Sequence, residues 1–337
     1  MTKIMTQTNN IWFPPEWHQH ERCWMAWPCF KDLWQEHFTD AKYTYANIAN
    51  TIAHFESVTM LVHPSQVKEA RRLLSHNVEI LPMDINDSWM RDTGPTFVFN
   101  NQELQGIDWT FNGWGKFPFQ QDQFIAQNVL RHLSLHIISS DLVNEGGAIH
   151  TDGEGTLMVT KNVQLNKNRN PNLSQQDVEE KLKAATGCEK IIWFDYGLTD
   201  DHTDGHVDQF ACFVAPQKIV VLDSDNPTDS NYSRLKSHIE QLRNETDAKG
   251  RPLEVVSIQQ PSCELEDNAR LGKSYINFYI ANGGVIMPSY GEPEADQAAF
   301  DVLQNCFTDR QVVQVDCRTL VRGGGNIHCI TQQQPKA

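Results

Sequence analysis

The chain has 337 residues, of which 39% are hydrophobic and 21% charged, as is ordinary for a globular protein with a large core. The formal net charge of −15 argues against nucleic acid or an anionic lipid surface as a partner, and it is compatible with small cationic ligands. The eight cysteines are scattered and form no C-x-x-C pair, which argues against a disulfide scaffold. The N-terminus has no long apolar run, which argues against a signal peptide and a membrane span. We therefore expect a reduced, cytoplasmic protein.

Helical and strand-like segments alternate along the chain. We predict helices over residues 34–55, 65–75 and 122–135. Three more are predicted to begin near residues 174, 232 and 293, where apolar residues recur at i, i+4 and i+7, and the first of these can be capped by Ser174 with Asp177 three positions on. The β-rich runs between the helices predict a hairpin around residues 152–155 and the strands Val58–Val62, Val78–Leu81, Ile191–Phe194, Phe210–Val214, Ile219–Leu222, Val255–Ile258 and Tyr275–Ile280.

The predicted helices recur along the chain with a loose period. Helix starts near residues 65, 122, 174, 232 and 293 give a unit of about 50–60 residues, each with strands and one helix, which indicates a repeat architecture. A doubly wound parallel sheet is the competing interpretation. Because no linker rich in proline, glycine, serine or charge divides the chain, we expect one domain over residues 1–337.

Functional residue types concentrate in four segments, at residues 86–95, 144–150, 201–208 and 322–329. In the third segment His202 and His206 are four apart, which is the spacing of a metal site on a helix, but Gly205 disfavours a helix there. In a strand His206 and Asp208 would share one face, placing an imidazole beside a carboxylate. A metal site, a proton-transfer pair and a solvated turn all remain open for this segment.

The fourth segment ends in Asn326, His328 and Cys329 after three consecutive glycines. A phosphate loop is disfavoured because no helix follows, and a lone cysteine is more often a small buried residue than a nucleophile. His328 is no obvious base for its neighbour, since adjacent residues of a strand face opposite sides, whereas His206 could serve as one.

The other two segments contribute acidic and aromatic side chains. Glu145 precedes a glycine pair, and Trp89 and Asp92 are three apart; the alternatives are a charged strand end and a polar turn. With Asp208 these make three carboxylates and an aromatic ring, which suit a planar cation such as a guanidinium better than an anionic ligand.

These motifs resemble the agmatine deiminases, in the peptidyl-arginine deiminase/agmatine deiminase family of the guanidine-modifying pentein superfamily. The resemblance spans nearly the whole chain, and the C-terminal motif is the most specific. The segments that carry it are residues 14–28, Trp89-Met90-Arg91-Asp92-Thr93-Gly94-Pro95, Glu145-Gly146-Gly147, Asn168-Arg169-Asn170-Pro171, Asp204-Gly205-His206-Val207-Asp208, Tyr275-Ile276-Asn277-Phe278-Tyr279 and residues 323–333.

The resemblance implies a fold, a reaction and a set of roles. The implied fold is an α/β five-bladed propeller of ββαβ modules with pseudo-fivefold symmetry, and the implied enzyme needs neither metal nor organic cofactor. The reaction converts agmatine and water to N-carbamoylputrescine and ammonia through a covalent thiouronium intermediate, in putrescine and polyamine biosynthesis. The implied roles are Cys329 as nucleophile, His206 as general acid and base, Glu145 as an assisting carboxylate, Asp92 and Asp208 as ligands of the guanidinium, Trp89 as a packing surface for the substrate, and Asn326 as a residue that shapes the loop presenting Cys329.

Alternative functions stay open on the sequence. A deiminase of arginine or peptidyl-arginine would keep the thiol chemistry, and the first of these needs an Arg or Lys for the α-carboxylate. An amidinotransferase would pass the amidino group to an amine. A non-catalytic pentein that binds ribosomal surfaces would need basic patches and has no use for a Cys/His/carboxylate set. The sequence assigns no residue to the distal amine of agmatine and leaves open whether the chain forms a homo-oligomer.

Overall fold

The computed structural model describes residues 10–199, 201–262 and 271–337, so Cys263 lies outside the described residues. The described helices are α1 (Lys31–Trp34), α2 (Phe38–Ile52), α3 (Val67–Leu73), α4 (Met90–Thr93), α5 (Ile125–His132), α6 (Lys161–Gln164), α7 (Gln175–Thr186), α8 (Tyr232–Arg243) and α9 (Pro293–Cys306). The described strands are β1 (Ile11–Trp12), β2 (His20–Ala26), β3 (Val58–Val62), β4 (Val78–Pro82), β5 (Thr96–Asn100), β6 (Glu103–Thr110), β7 (His136–Val143), β8 (Ile149–Thr151), β9 (Thr156–Thr160), β10 (Lys190–Phe194), β11 (Ala211–Ala215), β12 (Lys218–Asp223), β13 (Glu254–Gln259), β14 (Tyr279–Ala281), β15 (Gly284–Ser289), β16 (Gln311–Asp316) and β17 (Thr331–Pro335).

One structural unit recurs in the five sheets that the described residues form. Two strands pair antiparallel, a helix follows, and a third strand returns parallel to the second. The sets β5–β6–α5–β7, β8–β9–α7–β10, β11–β12–α8–β13 and β14–β15–α9–β16 all follow this order. In the remaining sheet the last strand, β17, pairs antiparallel with β2, and β3 lies parallel to β2 after α1 and α2. The chain is therefore a mixed α/β fold, and the described residues do not form the single doubly wound sheet that was the competing prediction.

Local signals in the sequence account for several element boundaries. Ser174 caps α7 with a reciprocal capping box, because its hydroxyl accepts from the Asp177 backbone while the Asp177 side chain accepts from the Ser174 backbone, and α7 ends at Gly187 with φ of 72°. The predicted hairpin around residues 152–155 is confirmed by the antiparallel pairing of β8 with β9.

Other boundaries differ from the predictions. The helix predicted over 34–55 is divided by a 3₁₀ turn at Gln35–His37, and the helix predicted over 122–135 begins with a 3₁₀ turn at Asp122–Phe124. The strand predicted at Tyr275–Ile280 is wrong over most of its length, since only Tyr279–Ala281 pairs as a strand. Hydrogen bonds from Ser274 and Asn277 to the backbone of the 208–209 turn replace the ladder there.

The large buried side chains pack between the sheets and the helices, and they include many aromatic residues, such as Trp24, Trp27, Trp34, Phe194, Phe210, Phe213, Tyr275 and Tyr279. Within the described ranges, none of the helices is both long enough and apolar enough to cross a membrane.

The five units place five turns at equivalent points. Each turn lies directly before the first strand of an antiparallel pair. The turns are α4 before β5, Gly146–Ala148 before β8, Val207–Gln209 before β11, residues 275–278 before β14 and His328–Ile330 before β17. The four functional segments of the sequence supply four of these turns.

Candidate active site

Hydrogen bonds join the five turns into one cluster. The Gly147 amide donates to Asp92 Oδ1 at 2.9 Å, which links the first turn to the second. Asn277 Nδ2 donates to the backbone oxygen of Asp208 at 3.1 Å, and the Cys329 amide donates to Asn277 Oδ1 at 3.3 Å. The functional side chains thus meet where the sheets' first strands begin. We call the set Asp92, Glu145, His206, Asp208 and Cys329 the floor cluster.

The thiol of Cys329 lies between amide and carboxylate groups. Its Sγ is 3.4 Å from Asn277 Oδ1 and 3.7 Å from Asp208 Oδ2, and Gln209 Nε2 donates to it at 3.2 Å. Burial, and then the negative charges of Asp208 and Asp92, hold the pKa of the Cys329 thiol well above its usual range. The ligand-free protein therefore keeps Cys329 as a thiol, and a cation placed beside the two carboxylates would favour the thiolate.

His206 is fully buried among three carboxylates. Its Nε2 donates to Glu145 Oε2 at 3.2 Å, and its Nδ1 lies 3.8 Å from Asp92 Oδ1. Burial lowers the pKa of His206, but the charges of Asp92, Glu145 and Asp208 outweigh burial and raise it to about 9. At neutral pH the ring is an imidazolium that can donate a proton.

Glu145 is held as an anion behind His206. Burial raises the pKa of its carboxyl, but the hydrogen bond from His206 and the positive charge of Arg169 outweigh burial and lower it. Arg169 Nε donates to Glu145 Oε1 at 2.6 Å, and the same guanidinium reaches Asp204 at 3.0 Å. Arg169 therefore fixes the carboxylate that orients the imidazole.

Gly147 leaves room for the contacts between these groups. A Cβ added at this residue would lie 2.7 Å from His206 Nδ1, 2.8 Å from Asp208 Oδ2 and 2.9 Å from Asp92 Oδ1. No real Cβ tolerates such distances, so glycine is required here for space. Burial raises the pKa of Asp92 to about 6, although the positive charge of His206 opposes the rise. The Oδ2 of Asp92 also accepts from Trp114 Nε1 at 3.0 Å.

His328 turns away from the thiol and joins two carboxylates. Its Nδ1 lies 2.8 Å from Asp208 Oδ2, and its Nε2 lies 2.8 Å from Glu16 Oε1. Burial raises the pKa of Asp208, but the hydrogen bond and the positive charge of His328 outweigh burial and lower it. His328 therefore keeps Asp208 ionised beside Cys329.

Two groupings bear on metal binding. The first is the metal site of His202 and His206 that the sequence left open. The ring nitrogens of these two residues do not converge, because His202 is exposed while His206 faces Asp92 and Glu145. Among the described residues, ligand atoms do converge at Glu16, His150 and His328. Arg91 also donates to Glu16 Oε1 at 3.2 Å, so a guanidinium already contributes positive charge there.

A pocket of about 460 Å³ opens above the floor cluster and reaches Cys329. Asp92 and Cys329 lie at its base. The side carries aromatic rings and one more carboxylate, and we call the set Phe30, Asp87, Trp89, Trp114 and Phe117 the wall. Thr203 and the backbone of the Gly323–Gly325 run complete part of the lining, and His202 lies at the edge.

Comparison with known proteins matches almost the whole chain. The family model of the Porphyromonas-type peptidyl-arginine deiminases matches residues 12–335. This chain belongs to that family. A relative from Legionella pneumophila is 45% identical over 332 residues, which cover 97% of this chain and 95% of the relative. An agmatine deiminase of Pseudomonas aeruginosa is 41% identical over 349 residues, with 96% and 95% covered. The structure of agmatine deiminase from Enterococcus faecalis superimposes with a TM-score of 0.94 at 35% identity, with 97% and 96% of the two chains covered.

In this member of the family, the side chains singled out in the sequence take different places. Cys329, Asp92 and Trp89 line the pocket. His206 and Asp208 lie behind the lining and contact it, and Glu145 lies behind His206. Asn326 does not line the pocket within the described residues. Its Oδ1 accepts from the Tyr290 hydroxyl at 2.9 Å and its Nδ2 donates to the Gly272 backbone at 3.3 Å, and these bonds tie the segment before Cys329 to neighbouring parts of the chain.

Sequence reasoning gave no role to several residues of the site. Gln209 and Asn277 contact the thiol directly, and Arg169 holds Glu145. Gln209 directly follows a motif residue, Asp208, and Asn277 and Arg169 lie inside motifs that match the family. The amides of Gln209 and Asn277 are neutral, so the pattern of charged residues does not single them out. The recurring position before each antiparallel pair is the signal that could have found Asn277.

Proposed function

We propose that the chain is an agmatine deiminase, which hydrolyses agmatine to N-carbamoylputrescine and ammonia. The observation that carries the proposal is the thiol of Cys329 at the base of a pocket, 3.7 Å from Asp208, with Asp92 in the same lining. Membership of the family, and similarity to named agmatine deiminases over almost the whole chain, support the choice of substrate.

In this proposal the two aspartates receive the guanidinium. Asp208 Oδ1 is buried and lacks a hydrogen-bond partner within the described ranges, so it can accept a guanidinium N–H. Asp92 lines the pocket together with Cys329. Charge-assisted bonds to both carboxylates would hold the planar cation with its carbon against Cys329.

The substrate would also activate the nucleophile. A guanidinium between Asp92 and Asp208 offsets the negative charges that raise the thiol pKa, and the Gln209 amide then donates to the thiolate. The sulfur attacks the guanidino carbon and forms a C–S bond. The imidazolium of His206 donates its proton to one nitrogen, the C–N bond breaks, and ammonia leaves.

The second half of the reaction reverses the role of His206. A thiouronium remains on Cys329, and the neutral imidazole takes a proton from water as the oxygen attacks the carbon. The C–S bond breaks, the hydroxyl proton of the adduct passes to solvent, the ureido product leaves, and the thiolate returns. Glu145, fixed by Arg169, stabilises the imidazolium in both half-reactions.

The pocket argues against the alternatives. Arginine brings an α-carboxylate, but no Arg or Lys stands among the described residues that line the pocket. A peptidyl-arginine enzyme needs an open cleft, whereas aromatic rings of Trp89, Trp114 and Phe117 enclose this pocket. An amidinotransferase would need to bind an acceptor amine that takes the amidino group in place of water. A non-catalytic binding protein would have no use for the floor cluster.

We also propose that the five sheets are the blades of one propeller with pseudo-fivefold symmetry, in a single domain over residues 1–337. The support is the repeated ββαβ order and the pairing of the C-terminal strand β17 with the N-terminal strand β2, which joins the two ends of the chain in one sheet. A homo-oligomeric state, a cytoplasmic location and a role in putrescine biosynthesis stay predictions.

Ammonia release from a panel of guanidines tests the proposed function. The purified chain is incubated with agmatine, free arginine or an internal peptidyl-arginine, each with and without a chelator. We expect release from agmatine alone, unchanged by the chelator. Release mainly from arginine or the peptide would keep the thiol chemistry and reassign the substrate, and no release from any of the three would reject the enzyme.

A further inference from the structure

Two carboxylates line the pocket among its described residues, and they differ in position. Asp92 belongs to the floor cluster, where it faces His206 and lines the pocket together with Cys329. Asp87 belongs to the wall, five residues earlier in the chain. Apolar and aromatic side chains make up most of the remaining wall.

Neutral donors fix the carboxylate of Asp87 in place. Its Oδ1 accepts from the Ser88 amide at 2.8 Å and its Oδ2 accepts from Trp89 Nε1 at 3.0 Å. The backbone amide of Asp87 donates to Asp122, which lies behind it, at 3.1 Å. The side chain is therefore held rigidly at the pocket although only 7% of the residue is exposed.

The negative charge of Asp87 is not balanced by the protein as described. Within the described ranges no Lys, Arg or His forms an ion pair with it. Burial raises the pKa of Asp87 to about 6, and the hydrogen bonds from Ser88 and Trp89 only partly oppose this effect. Buried charges in proteins are normally paired, so a carboxylate left open at a pocket is a site for a cation.

The indole of Trp89 lies between Asp87 and the nucleophile. Its Nε1 donates to Asp87, while its opposite edge lies near Cys329: a Cβ built on Gly325 would be 2.6 Å from the Trp89 Cζ3 and 3.2 Å from the Cys329 Sγ. The wall therefore presents an apolar ring that runs from a carboxylate to the thiol. An extended tetramethylene chain can lie along such a ring with a cation at each end.

We propose that Asp87 receives the distal ammonium of agmatine and makes the pocket selective for guanidines that carry a second cation. This inference rests on the proposed function and deepens it. Asp92 and Asp208 hold the guanidinium, the indole of Trp89 lies along the chain, and Asp87 pairs with the ammonium. Each cation of the substrate then meets its own carboxylate.

A pair of substrates and a pair of variants test this assignment. Butylguanidine has the guanidinium and the four-carbon chain of agmatine but no amine. In Asp87→Asn, kcat/KM for agmatine should fall about 10- to 100-fold, the usual range for loss of a charged hydrogen bond, while the value for butylguanidine changes little. Asp84→Asn is the matched control, because Asp84 lies in the same loop, three residues before Asp87. Its side chain is 69% exposed and lies outside the pocket lining.

The outcomes separate the two proposals. A wild-type chain that releases no ammonia from agmatine contradicts the proposed function. A wild-type chain that does so, with Asp87→Asn unchanged on agmatine or equally impaired on both substrates, overturns the role of Asp87 alone.

A measurement on the wild type avoids dependence on folding of the variant. The ratio of kcat/KM for agmatine to that for butylguanidine should fall as the pH drops through about 6, because Asp87 is then protonated. Asp92 titrates in the same range but affects both substrates, so it cancels in the ratio. Burial raises the pKa of Asp122, which lies behind Asp87, to about 7, so Asp122 is already largely neutral when Asp87 takes up its proton. A ratio that stays constant from pH 8 to pH 5 overturns the assignment.

Discussion

On the floor of the pocket each carboxylate lies against a histidine or an arginine, whereas on the wall Asp87 meets neutral donors. Asp208 is bonded to His328, Glu145 to Arg169 and His206, and Asp92 faces His206. Asp87 accepts from Ser88 and Trp89. Each carboxylate of the floor thus has a cationic partner within the protein, whereas the carboxylate of the wall has none among the described residues and is left to a ligand.

The two regions are suited to different parts of an enzymatic cycle. Paired charges on the floor can move a proton and stabilise the reacting carbon without depending on the distal part of the substrate. An unpaired charge on the wall contributes chiefly to binding, because the ammonium keeps its charge throughout the reaction. Changes on the floor should therefore lower kcat, and changes on the wall should raise KM.

Removal of the nucleophile is the most severe test of this division. In Cys329→Ala we expect no measurable ammonia release, while agmatine still binds with comparable affinity, because Asp87, Asp92 and Asp208 remain. The measurements are ammonia release and binding calorimetry. Cys306→Ala, which changes a half-buried cysteine on α9, serves as the control. Near-full activity would refute the nucleophile, and loss of binding together with activity would show that floor and wall are not separable.

A substitution at Gly147 should disturb the floor less severely. In Gly147→Ala the new methyl group would lie within 3 Å of His206, Asp208 and Asp92, so these groups must move apart. Displacement by about 1 Å can cost about 10²-fold in rate, and we expect at least that loss in kcat, measured with saturating agmatine.

The control for Gly147→Ala is Gly272→Ala, since none of the described residues lies within 4 Å of a Cβ added at Gly272. Wild-type kcat in Gly147→Ala would mean that the floor tolerates expansion and that its close contacts are not required for the chemistry.

The sequence predicted charged and nucleophilic parts of the floor better than its neutral parts. The loose helix period matches the repeated order of strands and helices, and the capping box at Ser174 was readable because it is a local pattern. Asn277 was placed in a strand because Tyr, Ile and Phe surround it, while in the structure its amide bonds to Asp208 and Cys329. That contact depends on a neighbouring unit of the fold, which local pattern does not reveal. Sequence patterns assign no role to Asp87, since its role depends on where the pocket opens.

The last and smallest expected effect concerns the charge balance of the floor. His206 has a pKa of about 9 in the folded protein, above its usual value of 6.5, so the folded state holds the proton more tightly than the unfolded chain. The stability gained from this proton is complete below pH 6.5 and is lost as the pH rises through about 9. By linkage, the gain is on the order of 3 kcal/mol.

We therefore expect the urea midpoint of the wild type to fall more steeply between pH 7 and 10 than that of His206→Gln, as followed by circular dichroism. Thiols and tyrosines of the unfolded chain also titrate in this range, but they are common to both proteins and drop out of the difference. His136→Gln, at an exposed position on β7, should keep the wild-type pH dependence. Parallel curves for wild type and His206→Gln would show that the floor carboxylates do not rely on the imidazolium, and the contrast between a balanced floor and an unbalanced wall would then lose its electrostatic basis.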